Sequence, residues 1–390
     1  MRRKNGIISA AIAEIDMTYN HELSDWPKFQ WKDSDLSTDL AEVRHRQGRL
    51  LGRMESLGFQ LREESVLRTL TEEVVKSSEI EGELLDRDQV RSSIARRLGM
   101  DVAGMVPADR NVDGVVEMML DATQNYAKPL TDERLFDWHA ALFPTGRSGM
   151  SKITVGNWRD DRSGPMQVVS GPMGRETVHY EAPAAPLLQK EMDAFLKWFE
   201  SEKSIDSVLV AGIAHLWFVT IHPFDDGNGR IARAITDLAL SRSEHSSQRF
   251  YSMSSKIRSD RKQYYEVLER TQKGGLDITK WLQWFLGCLN GAFDQAESTL
   301  STVLSKAEFW NIHRDTELNK RQKMMINRLL DGFFGKLNSS KWAKLTKTSQ
   351  DTASRDIDDL VQKGILMRGS AGGRSTSYEL VLPMGKEVGI

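Results

Sequence analysis

One stretch, Ile221 to Arg233, constrains the fold of this chain more than any other. It reads IHPFDDGNGRIAR and follows the apolar run Val208 to Ile221, which predicts a buried helix ending near His222. A proline and a Gly-Asn-Gly triplet then require a loop. From Arg230 to Leu240, apolar residues recur at helical spacing. The stretch therefore predicts two helices joined by a polar loop that contains two glycines.

The polar residues of this loop are those that phosphate chemistry requires. Two glycines let backbone amides turn toward an anion, and the N-terminus of the second helix adds its positive end. Arg230 and Arg233 lie three apart and can grip one polyphosphate from the same helix face. Asp226 suits Mg²⁺ bound to a nucleotide, and His222 could accept a proton from an attacking hydroxyl. An ordinary helix-loop-helix corner would explain the glycines but not the other residues together.

The segment His222 to Arg233 resembles the signature H-P-F-x-[DE]-G-N-G-R-x-x-R of Fic-domain proteins, and every fixed position matches. Most characterised members move AMP from ATP to a hydroxyl side chain of a target protein. The resemblance implies a mainly α fold, with a Fic-type helical core and a small β-hairpin flap. It implies that His222 is the catalytic base and Asp226 the Mg²⁺ ligand. The implied nucleotide-binding residues of the motif are Gly227, Asn228, Gly229, Arg230 and Arg233.

A second family pattern lies upstream, in a helical region predicted from Leu61 to Val90. Ser77 to Gly82 fits the pattern [ST]-x-x-x-E-[GN], which is inhibitory in some Fic proteins. In such relatives the glutamate pairs with the second arginine of the nucleotide motif and blocks the γ-phosphate site of ATP. Carried over, Glu81 would pair with Arg233. The residues given an inhibitory role are Ser77, Glu81 and Gly82. Without the downstream motif, the same acidic helix end would be interpreted as a charged surface.

Residues 156–183 are the convincingly non-helical part of the chain. Two β-prone runs, 167–170 and 177–180, flank a turn at Gly171 to Gly174, so a hairpin is predicted. It resembles the Fic flap, whose unpaired edge can add a segment of a target protein as an extra strand. We therefore expect the target to bind along residues 167–180. The alternative is a plain surface hairpin.

Several aromatic residues and histidines near these motifs are open to two interpretations. Tyr264 or Tyr265 would pack on the adenine or, as aromatics at helical spacing usually do, on the core. His215, seven residues before His222, is predicted to be a hydrogen-bonded core residue and not a second catalyst. His179, in the hairpin, is predicted to be exposed.

The last hundred residues predict a separate domain that resembles a winged helix. Its helices are expected at 322–332, 339–345 and 349–364, and its hairpin strands at 366–368 and 377–380. Residues 301–390 carry a net charge of +5, which is compatible with nucleic acid. The helix that would read DNA nevertheless carries Asp351, Asp356, Asp358 and Asp359, which repel phosphates. A protein-contact module or a homodimer interface is therefore favoured over DNA binding.

We expect three parts in the chain: an N-terminal helical region with the inhibitory helix at 1–98, a Fic catalytic core at 99–291, and the winged-helix-like domain at 292–390. The overall net charge of −2 argues against a globally basic nucleic-acid binder. The single cysteine, Cys288, excludes an intramolecular disulfide, and its apolar surroundings predict a buried thiol.

No membrane contact is expected, because no apolar run approaches the length of a membrane span. The run Ile7 to Ile15 follows a basic start but is interrupted by Glu14 and lacks a clear cleavage site, so no signal peptide is expected. A reducing, cytoplasmic location is the resulting expectation.

Three functional interpretations follow. The first is a Mg²⁺-dependent protein adenylyltransferase that moves AMP from ATP to a Ser, Thr or Tyr hydroxyl and is inhibited by Glu81. The second is a transcriptional regulator in which the winged helix acts and the Fic site senses nucleotide. The third is an enzyme that removes AMP, with Glu81 orienting a water molecule.

Overall fold

The computed structural model describes residues 19–101, 104–162, 164–171, 175, 177–330, 333, 335–369 and 376–381. The structure is 63% helical, with fourteen α-helices and a few short strands among these residues, which confirms the predicted mainly α class. Within the described residues, the search for a helix long and apolar enough to span a bilayer finds none. The run Ile7 to Ile15 lies outside the described residues.

The helices and strands have the following bounds. The helices are α1 (Asp33–Glu55), α2 (Phe59–Ile80), α3 (Arg87–Arg97), α4 (Arg110–Gln124), α5 (Asp132–Leu142), α6 (Leu188–Ser201), α7 (Ser207–Ile221), α8 (Asn228–Glu244), α9 (Met253–Ser259), α10 (Arg261–Gln272), α11 (Thr279–Ile312), α12 (Lys320–Leu330), α13 (Ser339–Thr346) and α14 (Gln350–Gln362). The strands are β1 (Arg147–Ser148), β2 (Ser151–Lys152), β3 (Gln167–Ser170), β4 (Thr177–Glu181), β5 (Leu366–Arg368) and β6 (Tyr378–Leu380). They pair as three antiparallel hairpins, β1–β2, β3–β4 and β5–β6.

The chain forms two compact units. Unit 1 consists of Met1–Arg49 and Leu67–Phe293, and unit 2 consists of Leu50–Val66 and Asp294–Ile390. The three-part division expected from the sequence remains a prediction.

The core of unit 1 is built around α7 and α8, which make its most extensive helix contact. Thirteen of the fifteen residues of α7 are buried, as its unbroken apolar sequence predicts. Gly212 lets α11 approach, because a Cβ there would lie only 3.0 Å from the Phe285 ring, and Trp281 Nε1 donates to Gly212 O at 2.8 Å. Each large apolar side chain buried here contributes about 1.5–3 kcal/mol. Cys288 is also buried, as predicted.

The helical region expected from Leu61 to Val90 is not continuous. Helix α2 ends at Ile80, and α3 starts only at Arg87. The interruption comes from Gly82, which adopts a left-handed φ of +85° that residues with a Cβ avoid. The predicted helical region therefore consists of two helices, because the glycine ends the first of them.

The predicted β3–β4 hairpin is present, and its register pairs Val168 with Tyr180 and Ser170 with Thr177. The Tyr180 hydroxyl donates to Thr220 O at 2.7 Å, which anchors the hairpin to the end of α7. Residues 172–174 of the predicted turn lie outside the described residues.

Unit 2 contains the three helices and the hairpin that the sequence predicts for it. Its core includes the fully buried Trp342, and an isolated antiparallel bridge joins Leu337 to Tyr378 of β6. Helix α14 carries the four aspartates expected to repel DNA. Three of them have basic partners within the unit: Asp356 with Arg321 at 2.7 Å, Asp359 with Lys363 at 2.7 Å, and Asp358 with Arg368 at 3.5 Å. The winged-helix assignment remains a prediction.

Candidate active site

His222 ends α7 in a left-handed conformation, with φ 52° and ψ 57°, which is uncommon for a residue with a Cβ. Its backbone N–H still donates to Phe218 O at 3.0 Å, and its Nδ1 lies 3.2 Å from Val219 O. The chain therefore turns sharply at His222, and the loop to α8 begins with Pro223.

Arg159 holds this turn from outside the motif. The side chain is buried, and its Nε donates to His222 O at 2.8 Å while its backbone N–H donates to Pro223 O at 2.9 Å. The guanidinium also binds Pro183 O at 2.5 Å and Asp161 at 3.0 Å. Sequence reasoning did not assign this residue to the site, although it holds the backbone of the predicted base.

The loop is braced by Asn228, the first residue of α8. Its Oδ1 accepts from Phe224 N at 3.0 Å, and its Nδ2 donates to Phe224 O at 2.8 Å. The buried Phe224 ring stacks on His139 at 4.2 Å, and His139 Nε2 lies 3.2 Å from Asp226 O. The side chain of Asn228, predicted to bind nucleotide, is thus engaged in holding the loop.

Positions 227 and 229 require glycine because their surroundings leave no room for a side chain. Gly227 caps α8 with φ +83°, and a Cβ there would lie 2.9 Å from the Phe143 ring. A Cβ on Gly229 would clash with the Glu81 carboxylate. The first amides of a helix lack intrahelical acceptors and carry partial positive charge, so the start of α8 is suited to an anion.

Arg233 is buried and meets the segment that follows α2. Its guanidinium lies 2.8 Å from Glu81 Oε1, and it donates to the hydroxyl of Ser77 at 2.9 Å and to the carbonyl of Ser77 at 2.8 Å. Burial acts most strongly and lowers the pKa of Arg233, but the charge and hydrogen bond of Glu81 together with the nearby Tyr264 and Tyr265 outweigh it, and the pKa is raised. The contact between Glu81 and Arg233 that the resemblance implies is therefore present in the geometry.

Arg230, the other arginine of the motif, also holds a carboxylate. Its NH1 lies 2.6 Å from Glu83 Oε2, and its guanidinium stacks over the Phe143 ring at 5.0 Å. Among the described residues, two buried nitrogens of this pair of arginines have no hydrogen-bond partner, Arg230 Nε and Arg233 NH1. Sequence reasoning missed Glu83.

Asp226 lies in the loop, between the base at the end of α7 and the arginines at the start of α8. Its Oδ1 accepts from Gly227 N at 2.6 Å, and its Oδ2 accepts from the Ser148 hydroxyl. The described residues contain no group of three or more acidic, histidine or cysteine side chains that could hold a metal ion alone. Mg²⁺ commonly binds through one or two carboxylates and the phosphates of its substrate, so the single carboxylate of Asp226 fits that ion.

The candidate histidines differ in their surroundings. Burial lowers the pKa of His222 to about 4, with the Val219 carbonyl acting in the opposite direction. At neutral pH the imidazole is therefore uncharged and able to accept a proton. His215 is a hydrogen-bonded core residue, as predicted, between Thr236 at 2.9 Å and Tyr264 at 3.0 Å.

The two tyrosines and His179 differ in exposure. Tyr264 is enclosed in the core through its contact with His215, whereas Tyr265 is half-buried. His179 was predicted to be exposed, which is wrong. It is half-buried and lies 2.9 Å from Glu269 and 2.6 Å from Ser170, because β4 packs beside α10.

The segment from His222 to Arg233 brings together a base, a carboxylate, a helix N-terminus and two arginines, a combination typical of sites that bind and process polyphosphates. Residues 129–240 match the family model described as the Fic/DOC family, so the chain carries a Fic/DOC domain, as the resemblance predicted. Residues 19–100 match a domain of unknown function, DUF4172.

Curated relatives are similar over part of their length. "Protein adenylyltransferase Fic" of Nematostella vectensis is 32% identical over 114 residues, which are 29% of this chain and 25% of that protein. "Protein adenylyltransferase fic-1" of Caenorhabditis elegans is 33% identical over 97 residues, which are 24% of this chain and 18% of that protein. The chain thus spans a quarter or less of these relatives. A solved Fic family protein from Desulfovibrio desulfuricans G20 aligns with 90% of this chain and 97% of its own, at 22% identity and a TM-score of 0.49.

Proposed function

We propose that this protein transfers AMP from ATP to a Ser, Thr or Tyr hydroxyl of a target protein. The observation that carries the proposal is the segment from His222 to Arg233, where a neutral base, a carboxylate, a helix N-terminus and two arginines meet. The Fic/DOC match and the relatives named protein adenylyltransferases support the same activity.

The phosphates of ATP would bind at the start of α8. The amides of Gly227 to Gly229 would surround one phosphate, and Arg230 and Arg233 would hold the β and γ end. Each arginine already donates to a carboxylate, which carries the same kind of charge as a phosphate oxygen. This supports their role as phosphate ligands.

His222 would take the proton from the target hydroxyl. The hydroxyl oxygen forms a bond to the α-phosphorus, the bond from that phosphorus to the bridging oxygen of the β-phosphate breaks, and pyrophosphate leaves. Arg159, through its contacts with the backbone of His222 and Pro223, would keep the base in place for this attack.

Asp226 would hold Mg²⁺ together with phosphate oxygens of the nucleotide, and the bound ion would neutralise part of the phosphate charge. The contacts of Asp226 with Ser148 and Gly227 would fix the carboxylate for that task.

Glu81 would inhibit the enzyme. Its carboxylate and the γ-phosphate compete for the same guanidinium of Arg233, so the wild-type chain would be weakly active. Ser77 supports the inhibited arrangement, because its hydroxyl and carbonyl accept two further hydrogen bonds from Arg233.

The target protein would bind along the hairpin of residues 167–180. Among the described residues, β3 pairs with β4 alone, so an edge is available for an added strand. Val169 and Val178, paired across the hairpin, keep 47% and 36% of their surface exposed, which suits contact with a second chain.

The test is label transfer from ATP that carries the label on its α-phosphate, with a cell lysate as the source of targets. The Glu81→Gly variant should label target proteins, which mass spectrometry then identifies. Adding His222→Ala to it should slow transfer by roughly a hundred- to ten-thousand-fold while ATP still binds. Near-normal transfer would rule out His222 as the base.

A matched control is His245→Ala. His245 also ends a helix in the left-handed conformation, with φ 51°, but it is exposed at the far end of α8. The substitution places an alanine at a similar left-handed position, away from the loop. Transfer should therefore be unchanged.

A further inference from the structure

We infer that Glu83 is a second inhibitory carboxylate, which acts on Arg230 independently of the contact between Glu81 and Arg233. The inference rests on the proposed function, because it assumes that both arginines bind phosphate. It adds a residue outside the six-residue inhibitory pattern and assigns one carboxylate to each arginine of the motif.

The end of α2 explains how two glutamates so close in sequence reach two different arginines. Gly82 N–H donates to Glu79 O at 3.1 Å, and Glu83 N–H donates to Ser78 O at 3.0 Å. With Gly82 at φ +85°, these two bonds form a Schellman motif, which reverses the chain at the end of a helix. Glu81 therefore precedes the reversal and Glu83 follows it.

The spacing on α8 matches this arrangement. Arg230 and Arg233 lie three residues apart in the first two turns of α8, and neighbours at that spacing share a face. Each takes one carboxylate from the turn, at 2.6 Å and 2.8 Å respectively. The glycine of the inhibitory pattern thus serves both contacts, because it places the two carboxylates on either side of the reversal.

In the contact between Glu83 and Arg230, a phosphate could replace the glutamate. The Arg230 side chain is 6% exposed, whereas the Glu83 side chain is 36% exposed and can turn into water. Arg230 stays in place after Glu83 leaves, because its guanidinium rests on the Phe143 ring. Its Nε, which has no partner among the described residues, can then donate to an incoming phosphate oxygen.

Removing Glu81 therefore frees only one of the two arginines, and release of both needs Glu83 to leave as well. Glu81→Gly also places two glycines in sequence and loosens the turn that positions Glu83. Glu81→Gln removes the charge and keeps the turn, so it separates the two contributions.

The experiment is calorimetric titration of the whole chain with ATP and Mg²⁺, and separately with inorganic pyrophosphate. The variants are Glu83→Gln, Glu81→Gln and both together. Glu83→Gln should bind each ligand about two- to fivefold more tightly than wild type, the range expected for an ion pair exposed on one side. The double variant should bind more tightly than Glu81→Gln by a similar factor.

The matched control is Glu79→Gln. Glu79 lies on the same helix end but pairs with Lys76 and Arg258, at 2.9 Å and 3.4 Å, and not with the motif arginines. Its variant should bind like wild type. If Glu83→Gln binds no more tightly than Glu79→Gln, alone or combined with Glu81→Gln, the inference is overturned.

The titration and the label-transfer assay together distinguish a failure of the inference about Glu83 from a failure of the proposed function. Tighter binding by Glu83→Gln without label transfer by any variant would support the role of Glu83 and remove the proposed AMP transfer. Transfer that Glu81→Gln raises and Glu83→Gln leaves unchanged, with unchanged binding, would keep the proposed function and remove the role of Glu83. Absence of ATP binding in every variant would overturn both.

Discussion

Helix α8 carries two clusters of paired charges that differ in one respect. The open cluster, Arg230 and Arg233 with their glutamates, lies at its start, and its carboxylate side chains are 30% and 36% exposed. The sealed cluster lies further along and joins Arg249 to Asp237 and Glu244, all at most 3% exposed. Buried nitrogens that have no hydrogen-bond partner do not distinguish the two clusters, since among the described residues each cluster contains at least one.

This difference in carboxylate exposure distinguishes a structural ion pair from one whose carboxylate a ligand can replace. The arginines of both clusters are buried. The exposure of the carboxylate partner decides whether a ligand can replace that carboxylate. Breaking a sealed pair leaves an uncompensated buried charge, whereas an exposed glutamate can move into water. The sealed cluster should therefore determine stability, and the open cluster should determine activity.

Loss of Asp226, the carboxylate of the motif loop, should have one of the largest effects on transfer. Asp226→Asn should lower AMP transfer by about a hundredfold or more, because a shared cation supplies several kcal/mol of charge stabilisation. Excess chelator should have the same effect on the unmodified chain, with the folded fraction unchanged. Asp225→Asn is the control, since the Asp225 carboxylate is next in sequence but accepts from Thr154 N at 2.8 Å. Full transfer in chelator would contradict the assignment.

Next in size is the loss of Arg249. Arg249→Met should lower the free energy of unfolding by about 3–5 kcal/mol, because Asp237 and Glu244 would remain buried without their partner. Urea unfolding measures this. Arg233→Met, the comparison in the open cluster, should abolish transfer and cost clearly less stability. Equal destabilisation by the two variants would refute the distinction between the clusters.

A smaller effect on stability is expected from His215, the buried histidine of α7. Burial lowers the pKa of His215 to about 3, with Arg233 acting in the same direction. Between pH 7 and pH 5 the unfolded chain takes up a proton at this residue and the folded chain does not, so stability falls as the pH falls. The loss is about 2 kcal/mol for one such histidine. His215→Gln should reduce the pH dependence of urea unfolding by that amount, and an unchanged slope would contradict the sealed environment.

The smallest effect on stability should come from Glu81. Glu81→Gln should change the free energy of unfolding by less than about 1 kcal/mol. It should raise AMP transfer about tenfold, since one charge-assisted hydrogen bond no longer competes with phosphate. The gain should appear in turnover more than in ATP affinity, because Arg233 orients the nucleotide. Arg233→Ala should not be rescued by Glu81→Gly. If Glu81→Gln and Glu81→Gly transfer no more than wild type, the acidic helix end is only a charged surface.

The parts of the molecule that local patterns determine could be predicted from the sequence. Helices α7 and α8 follow from their apolar periodicity, and the loop between them from a proline and two glycines. The contact of Glu81 with Arg233 came from the family resemblance, since 152 residues separate the partners and no local pattern joins them.

The contacts that sequence reasoning missed are those between distant segments. Arg159 binds the backbone of His222 across 63 residues, and nothing in its neighbourhood distinguishes it from a surface arginine. Glu83 did have a signal. A glycine after a run of helix formers marks a left-handed C-terminal residue, so α2 could have been ended there. The two glutamates flanking Gly82 would then have matched the two arginines of the motif in number and charge.

The brace that Asn228 forms on Phe224 has a kinetic consequence. Phe224 lies in the loop and Asn228 begins the helix that follows it, so the loop is held by hydrogen bonds within one short segment of the chain. Little conformational entropy is then lost there when a nucleotide arrives. Under the proposed inhibition by Glu81 and Glu83, the slow step of nucleotide entry would be the departure of the two glutamates from their arginines. At high nucleotide concentration the observed association rate should therefore level off at the rate of that departure, as for a gate that opens before its ligand enters.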